Sequence, residues 1–186
     1  MLLQTSSQID WNKVLDIVVT LATILFGFAL GRFSQWRNER KQTENLKNVL
    51  FWELSLIDNA LYKLMNEKEQ GLEADIQKCK TILSLDTNIY DNYLGKLNQL
   101  KTKELHSILF AYQSIKKLLS SALNIAQKIE NMENIQENKF LITRMDLLRL
   151  RIKLTKLAIV PALNCIVKGR KDLEKYLNEL YFSGDK

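Results

Sequence analysis

Between Ile17 and Gly31 the chain reads IVVTLATILFGFALG, an unbroken run with no charged side chain. Such a stretch needs an apolar cover, because leaving it in water costs free energy in proportion to its area. Three covers are open to it: the core of a soluble bundle, a cleaved secretory leader, or the hydrocarbon of a bilayer. Apolar character continues through Val14 and Leu15 on one side and Phe33 on the other, and Trp11 and Trp36 bracket the whole. A helix between those tryptophans is about 37 Å long, enough to reach from one membrane interface to the other, where tryptophan is favoured. Lys13 and Asp16 then fall near the outer boundary, and Arg32 can bend its long stem towards the headgroups.

The flanks set the orientation. Ahead of the run Lys13 stands against Asp10 and Asp16, whereas Arg32, Arg37, Arg40 and Lys41 follow it with only Glu39 opposing. A secretory leader carries its positive charge first, although Ala29-Leu30-Gly31 does offer small residues of the cleavage type. Positive charge on the cytoplasmic side predicts an anchor with its N-terminus outside and its C-terminal part in the cytoplasm. Residues 1–13 are then a short extracytoplasmic N-terminus, 14–36 a transmembrane helix and 37–186 a cytoplasmic helical bundle. Trp11, Ile17, Gly31, Arg32, Trp36, Arg37, Arg40 and Lys41 are the expected anchor residues, with membrane lipid as their partner. Thr23, Gly27 and Gly31 also form a small-xxx-small ladder within the span. Two readings of it stand: a face for self-association in lipid, or the ordinary abundance of small residues in membrane helices.

Beyond Lys41 the expected class is all-α. One proline and six glycines leave few breakers in a chain of 186 residues, and leucine, lysine, asparagine, glutamate and isoleucine dominate, a balance that favours helices. Leu50, Leu54, Ile57, Leu61 and Leu64 keep a 3–4 spacing with no glycine or proline back to Arg32, so the span is expected to continue as one long helix. A break near Asn66 to Gly71 precedes a short stripe of Leu72, Ile76, Cys79 and Leu83. Asp86-Thr87-Asn88 supplies N-cap chemistry for a segment with Ile89, Tyr93, Leu97 and Leu100 on one face. Two longer helices follow. Leu105, Ile108, Tyr112, Ile115, Leu119, Ala122, Ala126 and Ile129 mark one, and Leu141, Met145, Leu148, Ile152, Thr155, Ile159, Ala162 and Ile166 the other, which Leu173, Tyr176 or Leu177, and Leu180 extend past Gly169. Stripes of this kind are buried in antiparallel bundles. Pro161 is expected to kink the second, and the uncharged LAIVPALNCIV around it, too short for a span, is expected at the bundle's centre.

Catalytic signatures are lacking. The sequence has no HExxH, GxxxxGK[ST] or GxSxG, and its single histidine, His106, has no companions at metal-ligand spacing. Glu53 and Asp146 read as solvated or ion-paired groups, and Cys79 and Cys165, far apart among apolar neighbours, as buried thiols of a reducing compartment. The expectation is a protein that is no enzyme and takes no cofactor or metal. With 27 basic and 21 acidic residues the net charge is +6, which allows an anionic partner without requiring one. In RMDLLRLRIKLTK, Arg144, Arg149, Arg151, Lys153 and Lys156 face only Asp146, and Arg149, Lys153 and Lys156 lie at i, i+4 and i+7. They form either a docking face for an acidic partner or the solvated face of an amphipathic helix. Nucleic acid is not expected, because no aromatic residues interleave these charges.

The layout of a span ending in GRFSQWRNERK, a helix continuing as NVLFWELSLIDNAL and then NIYDNYLGKLNQLKTKELHSILFAYQSIKKL resembles a loose group of uncharacterised bacterial proteins. These have one N-terminal anchor, a basic juxtamembrane helix and a small cytoplasmic helical domain. The resemblance implies a bacterial inner-membrane setting, and some proteins of this look occur among mobile or phage-defence genes. The expected function is a membrane-tethered interaction or sensing module that holds a cytoplasmic protein partner, or a second copy of itself, at the inner membrane. The alternative is a membrane-acting effector of phage defence that oligomerises through its span and perturbs the bilayer.

Overall fold

A computed structural model describes residues 11–67, 72–130, 139–168 and 170–175, with side chains described from 19 in the first stretch, from 73 to 129 in the second and from 142 in the third. Among them every regular element is helical. In chain order these are α1 (Trp11–Asn66), α2 (Leu72–Leu83), α3 (Asn88–Tyr93), a 3₁₀ turn (Leu94–Gln99), α4 (Thr102–Glu130) and α5 (Lys139–Val167). The fold class is therefore all-α. The chain divides between Glu44 and Asn45 into two units, further along α1 than the boundary at 36/37 that hydropathy suggests.

In the first unit α1 is a lone helix. In the second, the direction of each helix can be read from its bridges. Lys47 of α1 pairs with Glu104, and Glu53 accepts from Tyr112, so α1 and α4 run the same way. Ser107 meets Cys165, Ser114 meets Thr155 and Lys117 meets Arg151, so α4 and α5 run in opposite directions. The 3–4 leucine spacing of α1 does what it predicts: Leu50, Leu54, Ile57, Leu61 and Leu64 are buried against Ile108, Tyr112 and Ile115 of α4 and Ile152 and Ile159 of α5. Met145, Leu148, Ile152, Thr155, Ile159, Ala162 and Ile166 of α5 are all buried as their spacing requires. Helix α5 continues through Pro161, which lies at the surface; Leu141, Gly169, Tyr176, Leu177 and Leu180 fall outside the described side chains.

Two expectations on the short elements need correction. Helix α2 buries Asp75, Lys78, Cys79 and Ile82, not the face of Ile76 and Leu83, because Asp75 is drawn inward by an ion pair with Arg149 of α5 at 2.5 Å. The segment after Asp86 is not one helix. Its α-helical part ends at Tyr93 and a 3₁₀ turn follows; Leu97 and Leu100 join the core as expected and Tyr93 packs half-buried against it, but the buried residue of α3 is Tyr90, not Ile89. Tyr90 is held there by stacking on Tyr112, with ring centroids 3.9 Å apart.

Candidate functional site

The first candidate surface is the N-terminal part of α1. From Val19 to Trp36 its large apolar side chains point in every direction around the helix and stay between 54% and 68% exposed. Gly27 and Gly31 lie open, with nothing within 4 Å of a Cβ built on either. Thr23 spends its hydroxyl on the Val19 carbonyl at 2.8 Å, the usual way a hydroxyl is satisfied inside an apolar helix. At the other end Trp36 packs against Phe33 at 5.9 Å, and Arg40 lies 5.7 Å over its indole ring, an aromatic and cationic collar of the type found at membrane interfaces. Arg32, Arg37 and Lys41 are exposed beside it. Among the described residues no helix is long and apolar enough to cross a membrane, so the transmembrane part of the expectation has no support from the fold. The apolar run of the sequence starts two residues before Val19, and the side chains of Trp11 and Ile17 lie outside the described residues.

The second candidate is a polar knot inside the bundle, and it corrects the reading of Glu53 as a solvated or ion-paired group. Glu53 is only 5% exposed. Its carboxylate accepts the backbone N–H of Ile89 at 2.8 Å, the N–H of Tyr90 at 3.0 Å and the hydroxyl of Tyr112. Thr87, at the N-cap of α3, makes no capping bond, while Asp86 accepts from the Asn88 N–H at 2.8 Å. A side chain distant in sequence therefore caps this helix, supplying the acceptors that the first-turn N–H groups need. Burial raises the Glu53 carboxyl above its ordinary value, and the bonds from Tyr112, Ile89 and Tyr90 only partly offset it. Burial, then the bond to Glu53, pushes the Tyr112 hydroxyl far up. At the rim Lys116 pairs with Asp91 at 2.6 Å and lies 5.3 Å over the Tyr90 ring. The arrangement is a polar structural joint between α1, α3 and α4. No sequence motif announced it; a carboxylate among the leucines of α1, on a face that also buries Asp58, was its signal.

The five cations expected to form one docking face are not brought together. Arg149 binds Asp75 at 2.5 Å and Asp146 at 3.0 Å, and its guanidinium is pushed up chiefly by the Asp75 bond. Lys156 sits 4.2 Å over the Tyr62 ring of α1. Arg151 donates to the Lys117 carbonyl at 3.2 Å on the opposite flank. Arg144 and Arg151 line a hollow of about 360 Å³ between α4 and α5 with Ser121, Asn124 and Lys128, while Arg149 and Lys153 line another of about 310 Å³ with Lys78 and Met65. What lies opposite the buried face of α5 is not the basic stripe but Leu147, Leu150, Leu154 and Leu157, 46% to 68% exposed. Asp146 is ion-paired as expected. His106 is exposed, and among the described residues no group of three His, Cys, Asp or Glu side chains could hold a metal ion.

Compared with known proteins, the chain matches no protein-family model, no curated protein and no solved structure.

Proposed function

We propose that this protein is a membrane-tethered helical interaction module, of the kind its layout resembles in bacteria, in which the start of α1 is the anchor and the helical bundle docks a protein partner at the cytoplasmic face. One observation carries the reading: between Val19 and Leu30, ahead of Arg32, no side chain is charged, and the large apolar ones lie on all sides of α1 and are exposed. A helix hydrophobic all round needs a cover all round, and lipid supplies one without a dedicated partner. Val14, Leu15, Ile17 and Val18 extend the run upstream in the sequence, and the Trp36–Arg40 collar fits the cytoplasmic interface.

Fractionation with topology mapping tests this. A reporter is fused to the C-terminus, membranes are washed with carbonate, and protease is added from outside. Retention with a protected reporter supports the anchor and its orientation. Release into the soluble fraction refutes it and assigns the apolar face of α1 to a protein partner. The second reading, a membrane-acting effector, rests on the open groove at Thr23, Gly27 and Gly31. Gly27→Leu with Gly31→Leu then abolishes clustering and toxicity on overexpression; unchanged toxicity refutes it.

A further inference from the structure

Helix α5 is apolar on two opposite faces. On a wheel of about 100° per residue, Leu147, Leu150, Leu154 and Leu157 centre roughly 150° away from its buried set. Their spacing of three, four and three residues is that of the a and d positions of a coiled coil, and Thr143 before them and Pro161 and Asn164 after them bound the seam. Four half-exposed leucines amount to a few hundred Å², the size at which an apolar patch marks an interaction site.

We infer that this seam pairs with the same seam of a second copy, in parallel. The flanking charges select both occupant and direction. With Leu147 and Leu154 at a, and Leu150 and Leu157 at d, the g positions are Asp146, Lys153 and Val160 and the e positions Arg144, Arg151 and Ala158. In a parallel pair each g residue faces the e residue five places further along its partner. Asp146 then meets Arg151 of the other copy, twice by symmetry, and the e position opposite Lys153 is Ala158, buried in its own bundle, so no charge opposes Lys153. An antiparallel pair centred on the leucines sets Arg151 against Arg151 and Lys153 against Lys153, which is repulsive. Arg151 can serve a second acceptor while it holds the Lys117 carbonyl, because a guanidinium has five donors, and Asp146 is 64% exposed. The seam falls short of the ~800 Å² per partner of a stable free interface. Its strength therefore rests on the anchoring reading, since confinement to one membrane raises the effective concentration of the second copy. The partner of the proposed module is, on this face, itself.

The test is disulfide crosslinking of the full chain in native membranes, in a Cys165→Ala background. Leu150→Cys, at a d position, gives a dimer band about tenfold stronger than Gln113→Cys, an exposed position on α4. Asp146→Arg lowers that band several-fold, and Asp146→Arg with Arg151→Asp restores it, a rescue that random collision does not produce. Equal bands at both cysteines, or no band from a chain that carbonate leaves in the membrane, overturn the seam and leave the anchor standing. A strong Leu150→Cys band from a chain that carbonate releases keeps the pairing but removes the anchor and refutes membrane confinement as the source of its strength. If Leu150→Cys does not crosslink but is shielded from a water-soluble maleimide only in vesicles with anionic lipid, the leucines lie on the bilayer and the pairing is refuted.

Discussion

Replacing Glu53 by leucine removes a side chain that joins α1, α3 and α4 through polar atoms. Leucine has nearly the right volume, so the packing of Leu50, Leu54 and Ile57 survives, but three donors lose their acceptor. The Tyr90 N–H and the Tyr112 hydroxyl are buried, and each unsatisfied donor costs about 1–3 kcal/mol; the part-buried Ile89 N–H can reach water and costs least. Relief of a buried, unfavourably solvated carboxylate offsets a share, leaving a net loss of about 2–5 kcal/mol. For a chain of this size that lowers the melting temperature by roughly 5–15 °C, read by circular dichroism at 222 nm on the detergent-solubilised protein. Glu53→Gln adds a test of sign. Because the folded carboxyl is raised above its unfolded value, its stabilising contribution is complete below the unfolded value near 4.5 and is lost as pH rises through the folded one. Glutamine does not titrate, so the advantage of the native chain over Glu53→Gln grows as pH is lowered from 7.5 to 5. An advantage that shrinks on acidification, or a Glu53→Leu loss under about 1 kcal/mol, refutes the account of the knot.

Three further outcomes follow from the same geometry. Arg149→Met leaves the buried Asp75 with the more distant Lys78, at 3.9 Å, and costs about 1–2 kcal/mol; Lys153→Met stays within about 0.5 kcal/mol, and a double-mutant cycle with Asp75→Asn separates the pair energy from side-chain loss. Burial pushes the Cys79 thiol up to about 11, so at pH 8 a thiol reagent labels the half-buried Cys165 in the folded protein and reaches Cys79 only on unfolding; equal labelling rates contradict the buried placement. Gly27→Ala and Gly31→Ala meet no neighbour and leave the fold intact, gaining up to about 1 kcal/mol of helix propensity each, which thermal melts detect as an unchanged or raised midpoint.

Much of the fold was legible because the breakers are so few. With one proline and six glycines, the 3–4 leucine spacing of α1 and the stripe of α5 are buried as their period requires, whereas the second half of α4 buries Leu118 and Ile125 and leaves the expected Leu119 and Ala126 half-buried. Less was legible in the short elements, where a stripe of three or four residues is easily shifted by one position. Asp75 rotated α2 towards Arg149, and the Tyr90–Tyr112 stack rotated α3, through contacts made across 74 and 22 positions of sequence.

The sequence by itself determined the class, the long helices, the buried faces of α1 and α5 and the unbroken apolar stretch at the start of α1, because these depend on period and composition along one element. Tertiary structure alone decided the roles of Glu53 and of the α5 cations. Whether a carboxylate is solvated or caps a helix 36 residues away, and whether Arg149 is a free cation or half of an ion pair, depends on which helices stand beside it. So does the exposure of Leu147, Leu150, Leu154 and Leu157. A periodic apolar residue is core only if another helix covers it, and among the described residues these four leucines of α5 stay exposed.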